Sequence, residues 1–331
     1  MALTPIILFI YNRPDHTKQT LEALSNNTLA SQSDLFIFAD GPKNTASKEQ
    51  LESIKQTRKV AASEKWCKTV TLIEFETNKG LARSIIEGVT EIINKYGKAI
   101  ILEDDIVTGK YFLEYMNTAL EKYKDNKEVM HITGWHKPIK GKTKNPNDCF
   151  FYPVMDCWSW ATWADRWQYF EKNTDRLLNT WTKDMILRFN HDGTEPGMWS
   201  QVIENKEGKI NTWAIYWYAS IFEKNGLCLA PTKSLVKNIG FDNSGVHCGA
   251  NPNEEITDTI DYQIINYPTT FEINKKEWRK IKRFNKMIHH TDFKGKVYLI
   301  GKNIILLPIR ITKRFLKLVG LFEPIKKLLK R

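Results

Sequence analysis

Three consecutive carboxylates, Glu103, Asp104 and Asp105, follow the largely apolar run 98–102. Such a run, bounded by polar residues, is typical of a buried strand. Ligands of parallel α/β sheets bind beyond the carboxyl ends of the strands. Carboxylate oxygens at that position suit Mg²⁺ or Mn²⁺, which also take phosphate oxygens of a substrate. The triplet therefore predicts a divalent-cation site, and a solvated acidic strand exit is the alternative.

Two further polar residues stand where predicted strands end. Arg13 follows the apolar run 5–11 and can hold a phosphate through two hydrogen bonds. Asp40 follows the run 34–39 and could accept the imide N–H of a uracil. An arginine flanking a helix and an Asp-Gly turn are the structural alternatives.

A third candidate is Arg83, which lies one turn into a predicted helix that opens at Asn78-Lys79-Gly80. The N-terminus of a helix attracts anions, so Arg83 is expected to reach a diphosphate. Ordinary helix capping is the alternative explanation for this segment.

The elements that must position these residues alternate along the first 135 residues. Strand-like runs occur at 5–11, 34–39, 69–75, 98–102 and 129–133, and helical patterns at 15–24, 47–64, 80–96 and 111–123. Strands separated by helices indicate an α/β fold with a largely parallel, doubly wound sheet flanked by helices.

The second half of the chain is rich in aromatic residues. Eight of the eleven tryptophans lie between Phe150 and Tyr218. Trp158 and Trp160 are expected to stack on the sugar rings of an acceptor. The alternative is that they belong to the core, because tryptophans are usually mostly buried.

The net charge of +11 is concentrated at one end. Residues 294–331 carry eleven Lys and Arg against one acid, Glu323, so the preceding residues are nearly balanced. This distribution argues against a nucleic-acid-binding domain, which would carry a basic stripe on its folded surface. The tail mixes apolar and basic residues, which predicts contact with an anionic membrane surface, and a helix packed on the domain is the alternative.

Five cysteines, an odd number without a CxxC pair or zinc-type spacing, indicate a reducing compartment. No secretory signal and no run of the roughly 18 apolar residues that a transmembrane helix needs is found. We therefore expect a cytoplasmic protein that is peripheral on the inner face of the cell membrane.

The ordered set of motifs resembles the nucleotide-sugar half of GT-A-fold glycosyltransferases. Within that fold family, the set of motifs is similar to that of N-acetylglucosaminyltransferase I and its bacterial relatives in surface-polysaccharide synthesis. The resemblance covers roughly residues 4–250 and includes the tryptophan segment 158–163 and the segment 231–242 that precedes Gly245-Val-His247.

The resemblance implies specific roles at the matching positions. Arg13 would contact the diphosphate beside Tyr11, and Asp40 the uracil. Within the triplet, Asp105 would be the direct metal ligand, while Asp104 lies near the ribose and Glu103 completes the donor site. Arg83 is assigned to the same donor site, and His247 is a second candidate metal ligand, with a structural histidine as its alternative.

The catalytic base does not carry over from the family. N-acetylglucosaminyltransferase I takes its base from a Trp-Asp-Asp-Trp segment, whereas residues 213–217 here contain no carboxylate. Asp156, Glu195 and Asp242 are the candidates, and Asp156 is preferred because it lies beside the aromatic cluster.

Together these features predict an inverting, metal-dependent hexosyl- or N-acetylhexosaminyltransferase that uses a UDP-sugar and a glycan acceptor, expected to be lipid-linked. Residues 1–135 form the donor half, 136–292 the acceptor half and 293–331 a membrane-associating tail. The alternatives are a sugar nucleotidyltransferase and a non-enzymatic carbohydrate-binding or membrane-active protein. Asn12-Arg13-Pro14 lacks the Gly-rich loop that a nucleotidyltransferase usually carries.

Overall fold

The computed structural model describes residues 2–139, 147–242 and 261–289. The strands are β1 (Ile6–Ile10), β2 (Asp34–Ala39), β3 (Thr69–Glu74), β4 (Lys98–Glu103), β5 (Ile106–Thr108), β6 (Val129–Thr133), β7 (Cys149–Tyr152), β8 (Trp160–Trp163), β9 (Leu227–Pro231) and β10 (Val236–Asn238). The helices are α1 (Pro14–Ser25), α2 (Lys48–Ala61), α3 (Leu81–Tyr96), α4 (Phe112–Lys122), α5 (Ala164–Trp167), α6 (Thr174–Thr180), α7 (Lys183–Phe189), α8 (Gly197–Lys206), α9 (Ala214–Glu223) and α10 (Lys275–Ile288).

Eight strands form one mixed sheet in the order β3-β2-β1-β4-β8-β6-β9-β7. The first four are parallel to one another, and β6 is parallel to β9, whereas β8 and β7 run antiparallel to their neighbours. The register places Ile10 beside Ala39 and Phe9 beside Glu103. The residues that follow β1, β2 and β4 therefore lie at one edge of the sheet.

Both faces of the sheet are covered because its strands are apolar on both sides. Ile6, Leu8 and Ile10 point into a core shared with α1, α2 and α4. Ile7 and Phe9 point into a second core shared with α3 and with the helices of the second half. This arrangement confirms the predicted α/β, doubly wound and mostly parallel sheet.

The start of helix α2 agrees with the start predicted from the sequence. Its N-cap is Ser47, whose hydroxyl accepts from the backbone N–H of Gln50 (3.3 Å) while the Gln50 side chain accepts from the Ser47 N–H (3.0 Å). This reciprocal capping box satisfies two donors that the first turn leaves free.

A separate two-stranded ribbon pairs β5 with β10, with Ile106 opposite Asn238. Because β5 begins directly after Asp105, the ribbon brings the segment that follows β10 onto the acidic triplet. The sequence patterns did not predict this pairing, since both strands have only three residues.

No helix among the described ranges is both long and apolar enough to cross a membrane. The predicted membrane-associating tail, 293–331, lies outside these ranges.

Candidate active site

The acidic triplet occupies the carboxyl end of β4 and the turn after it. Asp104 and Asp105 are 4% and 7% exposed, so their carboxylates are largely withdrawn from water. The backbone is fixed from two directions: the Thr20 hydroxyl donates to the carbonyl of Asp104 (2.8 Å), and the Ile239 N–H donates to that of Asp105 (2.9 Å).

Arg13, just before α1, is the cation that faces these carboxylates. Its guanidinium donates from Nη2 to Oδ1 of Asp104 and from Nε to Oδ2 (3.3 Å), and Nη2 also reaches Oδ2 of Asp105 (3.0 Å). The structure thus brings together Arg13, Asp104 and Asp105 as the sequence led us to expect. In this arrangement Arg13, which the sequence analysis assigns to a diphosphate, forms its ion pairs with Asp104 and Asp105.

The electrostatics leave negative charge uncompensated at this edge. Burial, followed by repulsion from Asp105 and Asp104, raises the pKa of Glu103 to about 8. Burial also raises the pKa of Asp104 to about 6, against the attraction of Arg13. Burial lowers the pKa of Arg13, but the two aspartates outweigh that effect and leave it raised. Among the described residues, one guanidinium therefore contacts two of three crowded carboxyl groups.

This charge imbalance fits a divalent cation. Within the described residues, no group of three or more His, Cys, Asp or Glu side chains is arranged so that it could hold a metal ion. Mg²⁺ and Mn²⁺ do not require one, because they are commonly held by one or two carboxylates together with substrate phosphates and water. Asp105, with Glu103 and Asp104 beside it, supplies hard oxygen donors of that type.

The segment after β10 lies directly over Asp105. A Cβ placed on Gly240 would overlap the Asp105 carboxylate, so only glycine lets the backbone approach so closely. His16 ties this segment to α1, with its Nε2 3.3 Å from the carbonyl oxygen of Ile239 and 3.2 Å from the Asp242 carboxylate. The sequence patterns predict neither His16 nor Gly240 as a site residue, although the segment 231–242 is part of the family resemblance.

Asp40 has a different role from the one expected. Its Oδ1 accepts from the N–H groups of Gly41 (2.9 Å) and Lys79 (2.8 Å), and its Oδ2 from Asn78 Nδ2 (2.9 Å) and the N–H of Gly80 (3.0 Å). Two bonds on each oxygen fill the accepting capacity of a carboxylate. Asp40 therefore fastens the exit of β2 to the start of α3 and has no lone pair left for a uracil N–H.

Arg83 also differs from expectation. It lies on the first turn of α3, but its side chain is 67% exposed and pairs with Glu87 (2.6 Å). Lys79 shares the same partner (2.7 Å). The contacts of Arg83 within the described residues do not reach the acidic triplet, so the structure does not bring it to the diphosphate position. Tyr11, at the exit of β1, lies instead near Asp40 and Lys43, and burial raises its pKa.

The two candidate acceptor tryptophans separate by burial. Trp160 is 1% exposed and packs in the core against Trp213 (5.0 Å between ring centroids), so it offers no surface to an acceptor. Trp158 is half-buried and contacts Trp135 (4.7 Å) and Phe241 (5.4 Å). Through Phe241 it borders the segment that covers Asp105.

The three candidate bases lie in distinct surroundings. Asp156 accepts from the N–H of Trp158 (3.0 Å), which places it beside the partly exposed aromatic side chain. Glu195 is buried and pairs with His289 and Lys137. Asp242 is half-exposed and pairs with His16. The carboxylate-free stretch at 213–217 forms the buried start of α9, so it is core. His247 lies outside the described residues.

Within the part of the chain that the structure describes, Cys67, Cys149, Cys157 and Cys228 form no disulfide with one another. No family model matches the sequence, and no curated protein matches it significantly.

Solved structures similar to the chain include several glycosyltransferases. The mannosyltransferase PcManGT from Pyrobaculum calidifontis, in complex with GDP-Man and Mn²⁺, is 11% identical with a TM-score of 0.33, over 49% of this chain and 44% of that one. GalNAc-T7 with UDP, GalNAc and Mn²⁺ is 11% identical with a TM-score of 0.41, over 70% and 42%. The galactosyltransferase LgtC with donor and acceptor sugar analogs is 9% identical with a TM-score of 0.36, over 66% and 70%. This chain thus spans less than half the length of the first two.

Proposed function

We propose that the protein is an inverting, metal-dependent glycosyltransferase that transfers a sugar from a nucleotide diphosphate, for which UDP is the first nucleotide to test, to a glycan acceptor. One observation carries the proposal. The exits of β1 and β4 and the segment after β10 converge on a buried acidic cluster that a single arginine leaves partly uncompensated.

Different residues of the site would bind different parts of the donor complex. Asp105, with Asp104 beside it, would hold the cation, and a divalent cation there would supply positive charge that stabilises the leaving diphosphate, while Glu103 lies at the same strand exit. Arg13 would then exchange its aspartate partners for the diphosphate, because the cation takes over the compensation of the carboxylates. Its planar fork suits a phosphate as well as it suits a carboxylate.

The acceptor would lie on the Trp158 side of Asp105. An acceptor hydroxyl attacks the anomeric carbon, the bond from that carbon to the diphosphate oxygen breaks, and configuration inverts. We assign Asp156 as the base that removes the hydroxyl proton, since it lies next to Trp158. Asp242 is the second candidate, because it adjoins the segment over Asp105.

We further propose that the acceptor is lipid-linked, in bacterial surface-polysaccharide synthesis at the cytoplasmic face of the membrane. The support is compositional: the tail 293–331 carries eleven cations among apolar residues. A protein bound to an anionic membrane surface and a lipid-linked acceptor are both confined to the plane of the membrane, so they encounter each other by diffusion within that plane.

The proposal is tested by thermal denaturation with UDP, GDP and dTDP, each with and without Mn²⁺. We expect one nucleotide to raise the Tm only with Mn²⁺, because the cation joins the carboxylates to the diphosphate. Asp105→Asn should remove that increase, whereas Asp125→Asn, at an exposed position outside the site, should retain it.

A flat response to every nucleotide would contradict the proposal and favour the non-enzymatic, carbohydrate-binding alternative. A Mn²⁺-dependent increase that survives in Asp105→Asn would show that the metal ligand is misassigned.

A further inference from the structure

Helix α10 carries an unusual charge for an element of a folded domain. Its 14 residues include seven Lys and Arg and one acid, Glu277. The residues before position 294 are nearly balanced as a whole, so this helix concentrates positive charge that the remaining elements offset.

The cations lie on one face of the helix. Glu277, Ile281 and Asn285 are buried against the domain. At 3.6 residues per turn, the exposed cations fall within an arc of about 100° on the other side. These five residues, here named the cationic stripe, are Lys275, Lys276, Arg279, Arg283 and Lys286.

No acid in the described part of the chain neutralises the stripe. At its borders, Lys280 pairs with Glu277 (2.9 Å) and Lys282 with Asp192 (2.7 Å). The stripe residues have no ion pair with any residue that the structure describes. Five like charges on one rigid face repel one another, and an anionic surface would relieve that repulsion.

We propose that the cationic stripe of α10 is a docking surface for an anionic lipid bilayer. The stripe contains no aromatic side chain, so it lacks the stacking platform of a single-stranded nucleic-acid site. Met287 is 61% exposed at the edge of the stripe and adds an apolar side chain at the level of the lipid headgroups. Beyond His289 the chain continues into the basic and apolar sequence 294–331, which extends the same chemistry.

The position of α10 links this surface to the acceptor side. His289, its C-cap, pairs with Glu195 (2.5 Å), and Glu195 also faces Lys137 (3.8 Å), two residues after the Trp135 that packs on Trp158. These contacts place the C-terminal end of α10 next to the elements that carry the proposed acceptor side. This step rests on the proposed function, since it names the surface through which a lipid-linked acceptor would be approached.

The test uses the full chain and vesicles of equal parts phosphatidylglycerol and phosphatidylcholine, with pure phosphatidylcholine for comparison. In one variant Lys276, Arg279, Arg283 and Lys286 are changed to Gln. The matched control changes the same number of exposed lysines elsewhere, namely Lys48, Lys55, Lys59 and Lys65, to Gln. Both variants lose the same net charge, so they differ only in where it is lost.

We expect co-sedimentation with the anionic vesicles to weaken by about tenfold or more in the stripe variant and to stay near wild type in the control. Binding of the wild type should fall as salt is added. Equal weakening in both variants, or none in the stripe variant, would overturn the proposal. So would a stripe variant that keeps vesicle binding but loses an RNA oligonucleotide. Vesicle binding needs no nucleotide, and the Mn²⁺-dependent UDP shift measured on the same samples reports the proposed function separately.

Discussion

At the scale of single residues, the carboxylates at the strand exits have different hydrogen-bond partners and therefore different roles. Asp104 and Asp105 face Arg13 at the open edge, whereas Asp40 is enclosed by donors of the chain itself. Sequence position could not separate these roles, because all three residues follow buried strands. The difference arises from the loop 78–80, whose N–H groups turn towards Asp40.

The change Asp40→Asn tests this distinction. An amide keeps one acceptor oxygen but turns an NH₂ group towards donors, so at least two N–H groups that are partly or fully buried lose their acceptor. We expect the free energy of unfolding to fall by about 3 kcal/mol. Urea denaturation measures it, with Asp125→Asn as the exposed control. Unchanged stability together with a specific loss of UDP binding would restore the uracil-contact role.

At the scale of elements, the sequence predicted the first half of the sheet well. Strands β1 to β4 and β6 are continuous apolar runs between helical patterns, and such runs are recognisable without tertiary information. The β5–β10 ribbon was not predictable, because three-residue strands carry no periodicity and their partners lie over a hundred residues apart. The site residues Gly240 and His16 depend on that ribbon and were missed with it.

Gly240→Ala tests whether the segment after β10 belongs to the site. The added methyl group must displace either this segment or the Asp105 carboxylate. We expect Mn²⁺-dependent UDP affinity, measured by calorimetry, to fall by about tenfold, equivalent to 1.4 kcal/mol.

Gly197→Ala is the control for this change, because its Cβ would meet only Glu195 at 3.9 Å. Full UDP affinity in Gly240→Ala would remove the segment after β10 from the donor site.

The aromatic residues of the second half divide according to the layer in which they lie. Trp160 was a candidate for acceptor binding, but β8 is an inner strand of the sheet, so its side chains on both faces are buried. Alternation along a sequence does not reveal that a strand is internal when, as in the Trp-Ala-Thr-Trp of β8, no charged residue marks an outward face. Trp158 precedes β8 and keeps part of its ring accessible.

At the scale of the whole molecule, buried histidines make stability depend on pH. His131 donates from Nε2 to the carbonyl of Asp156 (3.0 Å) and accepts from Trp217 Nε1 (3.2 Å), which defines a neutral ring. Burial lowers the pKa of His131 to about 3, that of His136 to about 4 and that of His191 to about 3. Each folded-state pKa is below the unfolded value of about 6.5.

At these histidines the unfolded chain therefore binds more protons than the folded one between these values, so their contribution to stability falls as the pH falls below about 6.5. Each histidine contributes up to about 1.4 kcal/mol per pH unit. His131→Gln retains a donor and an acceptor but does not titrate. We expect its loss of stability between about pH 6 and 4 to be shallower by that amount, as measured by urea denaturation. Parallel pH profiles for the variant and the wild type would show that His131 does not cause the dependence.

The antiparallel strand β8 has a consequence for the order of assembly during synthesis. It lies between β4 and β6, so these two strands are joined only after residue 163 has been made, and β7 joins the sheet only through β9, which ends at residue 231. The acidic edge is completed later still, when the carbonyl of Ile239 meets His16 across 223 residues. Contacts so distant in sequence form late, because the intervening chain must first be ordered. A nascent chain that already contains Arg13 and the whole triplet thus has the acidic edge without the segment that covers it, and the ribosome must release most of the chain before that segment can reach Asp105.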